Sequence, residues 1–162
     1  MTKLKHLAIW PAMFVLLFDQ ISKQVIVHGI RLNESIPVLE GFFNLVHIRN
    51  RGMAFGMMNR SETGFFFYML LLFSLGAVFI ILLWFLKLKN DDKQTAFGLS
   101  LILGGALGNL VDRIRLQEVI DFLDFYLGQY HWPAFNVADS AITVGTFCVA
   151  LGLILNKKPE VE

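Results

Sequence analysis

GFFFYMLLLFSLGAVFIILLWFL, residues 64–86, is a run of 23 residues without a single charge. A helix rises about 1.5 Å per residue and the bilayer's hydrocarbon core is about 30 Å thick, so roughly 20 apolar residues cross it. This stretch is long enough to cross a membrane and has no polar face to offer water. Three flanking segments read the same way. Residues 95–111, 17 in number and rich in Leu and Gly, end against Asp112 and Arg113. Residues 140–155, 16 in number, begin directly after Asp139. Residues 7–27, 21 in number, are apolar except that their second half carries Asp19 and Lys23. The two shorter segments suit a locally thin bilayer or dipping helix ends. Four transmembrane helices are the economical expectation.

Composition agrees. Of 162 residues, 56% are hydrophobic and only 17% charged, with 16 Phe, against about 25% charged in an ordinary soluble domain. Mean hydropathy is +0.59. A disordered chain is excluded, and one membrane-embedded domain over residues 1–162 is expected. A net charge of +1 offers no basic footprint, so no nucleic acid is expected as partner. The single cysteine, Cys148, excludes an intrachain disulfide and a zinc site built from several cysteines. Lys3 and Lys5 before an apolar run resemble the start of a cleaved signal peptide. The residues that follow, Phe18-Asp19-Gln20-Ile21-Ser22-Lys23, are not a small-residue cleavage site, so the segment is read as a retained helix.

Orientation follows from Lys and Arg near the span ends. With the N-terminus inside, the inner side holds seven (Lys3, Lys5, Lys87, Lys89, Lys93, Lys157, Lys158) and the outer side six (Arg31, Arg49, Arg51, Arg60, Arg113, Arg115). The inner segments are short and Lys-rich, so N-in/C-in is expected. The outer loops are then 28–63 and 113–138. The first contains Ser35-Ile-Pro-Val-Leu-Glu-Gly-Phe-Phe-Asn-Leu-Val-His-Ile-Arg49, β-branched and aromatic with turn residues at Pro37 and Gly41, which predicts a few short strands. The second is mixed and aromatic.

Charged groups in or beside membrane spans are expensive to bury, so each is a candidate for function. Mapped onto this topology, they gather at one boundary. Asp19 and Lys23 occupy the outer half of the first helix at i, i+4 spacing and share a face. Asn50 lies in the first outer loop. Asn109, Asp112 and Arg113 end the third span, Asp121 and Asp124 follow in the second outer loop, and Asn136 and Asp139 open the fourth. Several have a purely structural reading: Asp139 as a helix N-cap, Asp112-Arg113 as an interfacial anchor, Asp19-Lys23 as a self-neutralising pair. Gly104 and Gly108 have the spacing of close helix packing. Met53, Met57 and Met58 read as apolar contact rather than metal ligands. Caps and anchors have no reason to cluster in one layer, however, and these residues do.

The chemistry such a cluster supports is narrow. Cys148 sits mid-span with no His or acid nearby, and Ser140 beside Asp139 has no His base. Ser22 and Lys23 are neighbours on a helix and do not face each other. His-Glu-x-x-His is absent, and His28, His47 and His131 are dispersed, so no metal and no cofactor is expected. Carboxylates are the groups in supply. Two aspartates held close share a proton near neutral pH, one serving as base toward water and the other as acid toward a carbonyl. Peptide hydrolysis at a membrane surface is chemically coherent. The residues alone leave Asp112, Asp121 and Asp124 open as partner to Asp139.

Five blocks together are more specific: Asp19-Gln20-Ile21-Ser22-Lys23, Asn50-Arg51-Gly52-Met53-Ala54-Phe55, Gly104-Gly105-Ala106-Leu107-Gly108-Asn109-Leu110-Val111-Asp112-Arg113, Val119-Ile120-Asp121-Phe122 and Phe135-Asn136-Val137-Ala138-Asp139-Ser140. In this order and on a chain of this length they resemble the lipoprotein signal peptidases (signal peptidase II), membrane aspartic peptidases of bacteria. The resemblance implies an all-α membrane protein of four transmembrane helices, N-in/C-in, with a small β-sheet cradle on the outer, periplasmic face and a short amphipathic element near it. It implies cleavage of diacylglyceryl-modified prolipoproteins before the lipidated cysteine, at the outer face of the bacterial cytoplasmic membrane. The catalytic pair it implies is Asp121 and Asp139. Asp19, Lys23, Asn50, Gly52, Asn109, Asp112, Arg113, Asn136 and Ala138 would support that pair. Arg51 and Met53 depart from the smaller residues common in the family. A lipid-anchored substrate implies lateral entry from the bilayer between helices, with membrane lipids as the other partner and the enzyme a monomer. Two other readings compete: a proton-coupled transporter, whose acids belong nearer the midplane, and a non-catalytic lipid-binding protein using the cluster as a head-group pocket.

Overall fold

The computed structural model of the protein describes residues 3–52, 63–88 and 92–155. Along the chain run α1 (Lys3–Gly29), β1 (Ser35–Leu39), β2 (Phe43–Asn50), α2 (Thr63–Lys87), α3 (Lys93–Leu116), β3 (Val119–Leu127), β4 (Tyr130–His131) and α4 (Val137–Leu155). Met53, Met57 and Met58 lie outside the described residues. Among the described residues, the helices are α1 to α4, and the short amphipathic element is not found there.

Among the described residues, three helices are long and apolar enough to cross a membrane: Gly64–Lys87, Lys93–Leu116 and Val137–Leu155. α1 has the length, at 27 residues, but Asp19, Gln20, Ser22, Lys23 and Gln24 dilute its apolar character. Two of the boundaries that differ from expectation bear on the site. α3 continues past residue 111, so Asp112 and Arg113 lie within its last turns. Gln117 ends it in the left-handed conformation (φ 61°), its N–H returning to the Arg113 carbonyl. α4 begins at Val137 rather than residue 140, which places Asp139 inside its first turn.

α3 is the hub, packing on α1, α2 and α4, and among the described residues α2 packs on α3 alone of the helices. Glycine makes the central contacts possible. A Cβ added at Gly98 would lie 2.7 Å from the Gly145 carbonyl oxygen, and one at Gly145 would lie 2.6 Å from that of Gly98. Gly105 faces the Ala138 carbonyl in the same way, so α3 and α4 touch backbone to backbone. Gly104 and Gly108 serve the other flank, against Ala12 and Asp19 of α1. This is close helix packing by small residues, as their spacing suggests. It also fixes direction: α3 runs parallel to α1 and antiparallel to α4.

The sheet is antiparallel in the order β1-β2-β3-β4. Gly41 (φ 78°) turns the β1–β2 hairpin where the sequence predicts a turn. The second outer loop, read from sequence as mixed and aromatic, supplies the longest strand, the nine-residue β3. β3 lies between β2 and β4 and is buried on both faces over most of its length, which erases the alternation by which a half-exposed strand is recognised. Its Ile120 and Phe122 pack on Ile26 and Ile30, locking the sheet onto the C-terminal end of α1.

Candidate active site

A buried ion triad forms the floor. Lys23 Nζ lies 2.8 Å from Asp19 Oδ2 and 2.8 Å from Asp112 Oδ2, and donates to Asn109 Oδ1 at 3.1 Å. Asp19 and Lys23 are 0% and 1% exposed, so this is an interior assembly rather than a surface pair. It is the self-neutralising pair of α1 extended to α3. Gln20 donates to Asp112 Oδ1 (3.0 Å), to the Gly108 carbonyl (3.2 Å) and to Asp19 Oδ2 (3.2 Å). Asp112 also receives the Ile120 amide at 3.3 Å. Both oxygens of Asp112 are therefore engaged, by Lys23, Gln20 and Ile120.

Above this floor, Asn136 organises the first turn of α4. Its Oδ1 accepts the Asp139 amide at 2.9 Å, while Asp139 Oδ2 accepts the Asn136 amide at 3.3 Å. This is a reciprocal capping arrangement, with Asn136 as N-cap and Asp139 three residues on. The N-cap reading of Asp139 is thus corrected: Asn136 takes that role. The amide of Ala138, otherwise an orphan donor of the helix start, goes to Asp19 Oδ1 at 2.9 Å. Ala138 is wholly buried, and a carboxylate at a helix N-terminus is favourably placed.

Asn136 then reaches the other carboxylate. Its Nδ2 donates to Asp121 Oδ1 (2.8 Å), with Asn109 Oδ1 and the Ile120 carbonyl both at 3.2 Å. Asn109 Nδ2 donates to Asp139 Oδ1 at 2.8 Å. From β2, Asn50 Nδ2 donates to Asp121 Oδ2 at 2.9 Å. The Gly52 amide (φ 84°) donates to Asn50 Oδ1 at 2.8 Å, which fixes the orientation of that carboxamide. Arg113 donates to the Asn109 carbonyl at 3.3 Å and interacts electrostatically with Asp139, Asp112 and Asp121. Four elements thus bring Asp121 and Asp139 to one residue, Asn136.

The Asp121 carboxyl is pushed up to about 6, first by burial and also by the charge of Asp139, against the opposing pull of the Asn50 and Asn136 amides and Lys23. A carboxyl near 6 beside an acid that shares its partners has the character of one member of a proton-sharing pair.

Asp124 lies elsewhere. It accepts from Asn44 at 2.9 Å and pairs with His131 Nδ1 at 2.8 Å, tying β2, β3 and β4 together. Among the described residues, no group of three His, Cys, Asp or Glu side chains is placed to hold a metal ion. Sequence reasoning passed over Gln20, a member of the first block whose three bonds join α1 to α3; a polar residue one step from a buried acid was the available signal.

A family model described as signal peptidase (SPase) II matches residues 11–155. The lipoprotein signal peptidase of Nitratidesulfovibrio vulgaris (strain DP4) is 49% identical over 150 residues, covering 92% of this chain and 90% of that protein. That of Desulforapulum autotrophicum is 46% identical over 149 residues, covering 90% of each. Among solved structures, a bacterial membrane enzyme determined by the in meso method at 1.9 Å resolution is similar with a TM-score of 0.78. It shares 31% identity and covers 94% of this chain and 95% of that one. Another, at 2.3 Å, has a TM-score of 0.74 at 30% identity, covering 97% and 94%.

Proposed function

The chain belongs to the signal peptidase II family, and from that premise we infer that it is a lipoprotein signal peptidase, a membrane protease that removes the signal peptide from prolipoproteins. The finer reading is an aspartic mechanism with Asp121 and Asp139 as the pair. The observation that carries it is Asn136, which holds Asp121 through its side chain and Asp139 through its backbone amide. Asp112, kept open by the sequence, is occupied by Lys23 and Gln20 and fits a supporting role.

In the first step Asp139 takes a proton from a water as its oxygen bonds to the scissile carbonyl carbon. Asp121, whose carboxyl burial pushes up to about 6, protonates the carbonyl oxygen. When the tetrahedral species collapses, Asp139 passes its proton to the nitrogen, Asp121 takes one back from a hydroxyl as the C=O re-forms, and the C–N bond breaks to free the amine of the lipidated cysteine.

α1 is read as the fourth crossing, N-in/C-in. Its polar residues Asp19 and Lys23 face inward, while Trp10, Phe14, Leu17 and Ile21 face outward. With the N-terminus inside, the carboxylate layer and sheet lie at the outer, periplasmic boundary of the bacterial cytoplasmic membrane. A diacylglyceryl chain leaves a bilayer only at about 0.8 kcal/mol per methylene, so the substrate enters laterally. An apolar cavity of about 330 Å3 between α1, α2 and α3, lined by Ala12, Leu16, Leu82, Phe85, Leu103 and Leu107, supports a path along these helices toward the site. The enzyme acts as a monomer.

The test is cleavage of a diacylglyceryl-modified prolipoprotein by purified protein in detergent. Folded Asp139→Asn and Asp121→Asn should release no signal peptide, while Asp112→Asn retains some activity. A dead Asp112→Asn beside an active Asp121→Asn would transfer the partnership to Asp112. A folded wild type that never cleaves refutes the peptidase reading.

A further inference from the structure

Asn50 stands between two arginines, and both reach one carboxylate. Arg51 Nε donates to Glu118 Oε1 at 2.6 Å, and Arg49 Nη1 lies 3.8 Å from Glu118 Oε2. Side chains alternate across a strand, so Arg49 and Arg51 share one face and Asn50 points to the other, toward Asp121. Asn50 pairs with Val119 at the last rung of the β2–β3 ladder, and Glu118 immediately precedes that rung. Past it the chain turns away at Gly52. The rung that carries Asn50 is a ladder end, where local opening is easiest.

We propose that Glu118 is a positioning residue for the cleavage reaction: gripping Arg49 and Arg51 on the far face of the sheet, it pins the Asn50 amide on the Asp121 carboxyl. This rests on the peptidase reading above. Without Glu118, two cations on one face of the strand repel each other with nothing across the ladder to gather them. The strand end then opens and Asn50 withdraws. The groups that act on Asp121 are Asn50 from β2, Lys23 from α1, Arg113 from α3, and Asn136 and Asp139 at the start of α4. Of these, Asn50 is the one flanked by Glu118's partners. Its amide donates to the carboxylate and so favours the ionised form. Losing it lets Asp121 hold its proton to higher pH.

The experiment uses the full chain in detergent with two readouts: the pH profile of kcat/KM on a lipidated substrate, and the titration of the Asp121 carboxyl by 13C NMR, its signal identified with Asp121→Asn. Glu118→Gln should raise both the NMR midpoint and the basic limb of kcat/KM by about one pH unit, and Glu118→Asp should restore part of the difference. In an Asn50→Ala background, Glu118→Gln should add no further shift. A merely structural Glu118 would lower activity at every pH and leave the midpoint in place, and that result overturns the proposal, as does a further shift without Asn50. If Glu118→Gln does not fold, salt replaces it. Arg51 is half exposed, so about 1 M salt screens its ion pair and should raise the wild-type midpoint but not that of Asn50→Ala. A salt-independent midpoint refutes the idea. A wild type that cleaves nothing sinks the peptidase reading, and the NMR midpoint still decides whether Glu118 governs Asp121.

Discussion

Replacing Lys23 with Met removes the one cation buried between Asp19 and Asp112. The two carboxylate oxygens each lie 2.8 Å from Nζ, so they are no more than twice that distance apart. At this separation and an effective dielectric of about 20, two negative charges repel by about 3 kcal/mol. Both carboxylates remain almost inaccessible to water, and Asn109 loses a donor. Breaking a buried ion pair from one side typically costs about 3–5 kcal/mol, whereas replacing the whole set by neutral groups is often harmless. Lys23→Met should therefore destabilise the protein by about 3–5 kcal/mol. The neutral triple variant Asp19→Asn, Lys23→Met, Asp112→Asn should recover most of the loss. The assay is unfolding in mixed micelles titrated with SDS, followed by the fluorescence of Trp10, Trp84 and Trp132. A loss under about 1 kcal/mol, the range of an exposed pair, would refute the buried-triad account. So would a triple variant no more stable than the single one.

Three further outcomes are expected. Folded, Asp121 keeps its proton between the ordinary carboxylate value of 3.8 and about 6, where the unfolded chain has released it. The folded state binds the extra proton, so stability falls as pH rises through that window, by up to about 3 kcal/mol, and is level above it; pH-dependent unfolding should show this slope in wild type and not in Asp121→Asn. For the same reason Asp121 gives up the proton that the proposed mechanism needs as pH rises through about 6, and kcat/KM measured across pH should decline on that side. Gly105→Ala would drive a methyl into the Ala138 carbonyl, displacing the start of α4 at about 1–3 kcal/mol, with cleavage assays showing a loss of activity beyond the drop in folded protein.

The membrane-embedded helices and the crowding of acids and amides toward one layer were legible in the sequence, because an uncharged run and a charge within an apolar run are strong physical signals. Other features were not. Asp139 stands directly before an apolar run, as an N-cap does, but Asn136 begins the helix, since a cap is defined by which side chain turns back onto the amides. β3 was hidden because both its faces are covered, so its residues carry no alternation. The residues alone left Asp112 and Asp121 both open, and even Arg113 beside Asp112 does not say what each acid meets. The fold gives Asp112 the ammonium of Lys23 and Asp121 two carboxamides. Glu118 belongs to none of the five blocks, and only the β2–β3 register sets it beside Arg49 and Arg51.

The partners of α1 are far downstream: Lys23 meets Asn109, 86 residues later, and Asp19 meets Ala138, 119 residues later. Translation at about 5–20 residues per second separates Asp19 from Ala138 by roughly 10 seconds. Until Asn109 and Asp112 are made, the newborn first helix has only its own Lys23 and Gln20 to satisfy Asp19. Asp139 arrives with the last helix, after every other member of the site has been made. With Asp139 in the proposed catalytic pair, a half-synthesised chain is a silent one, and hydrolytic competence appears in the bilayer only once α4 has been threaded into place.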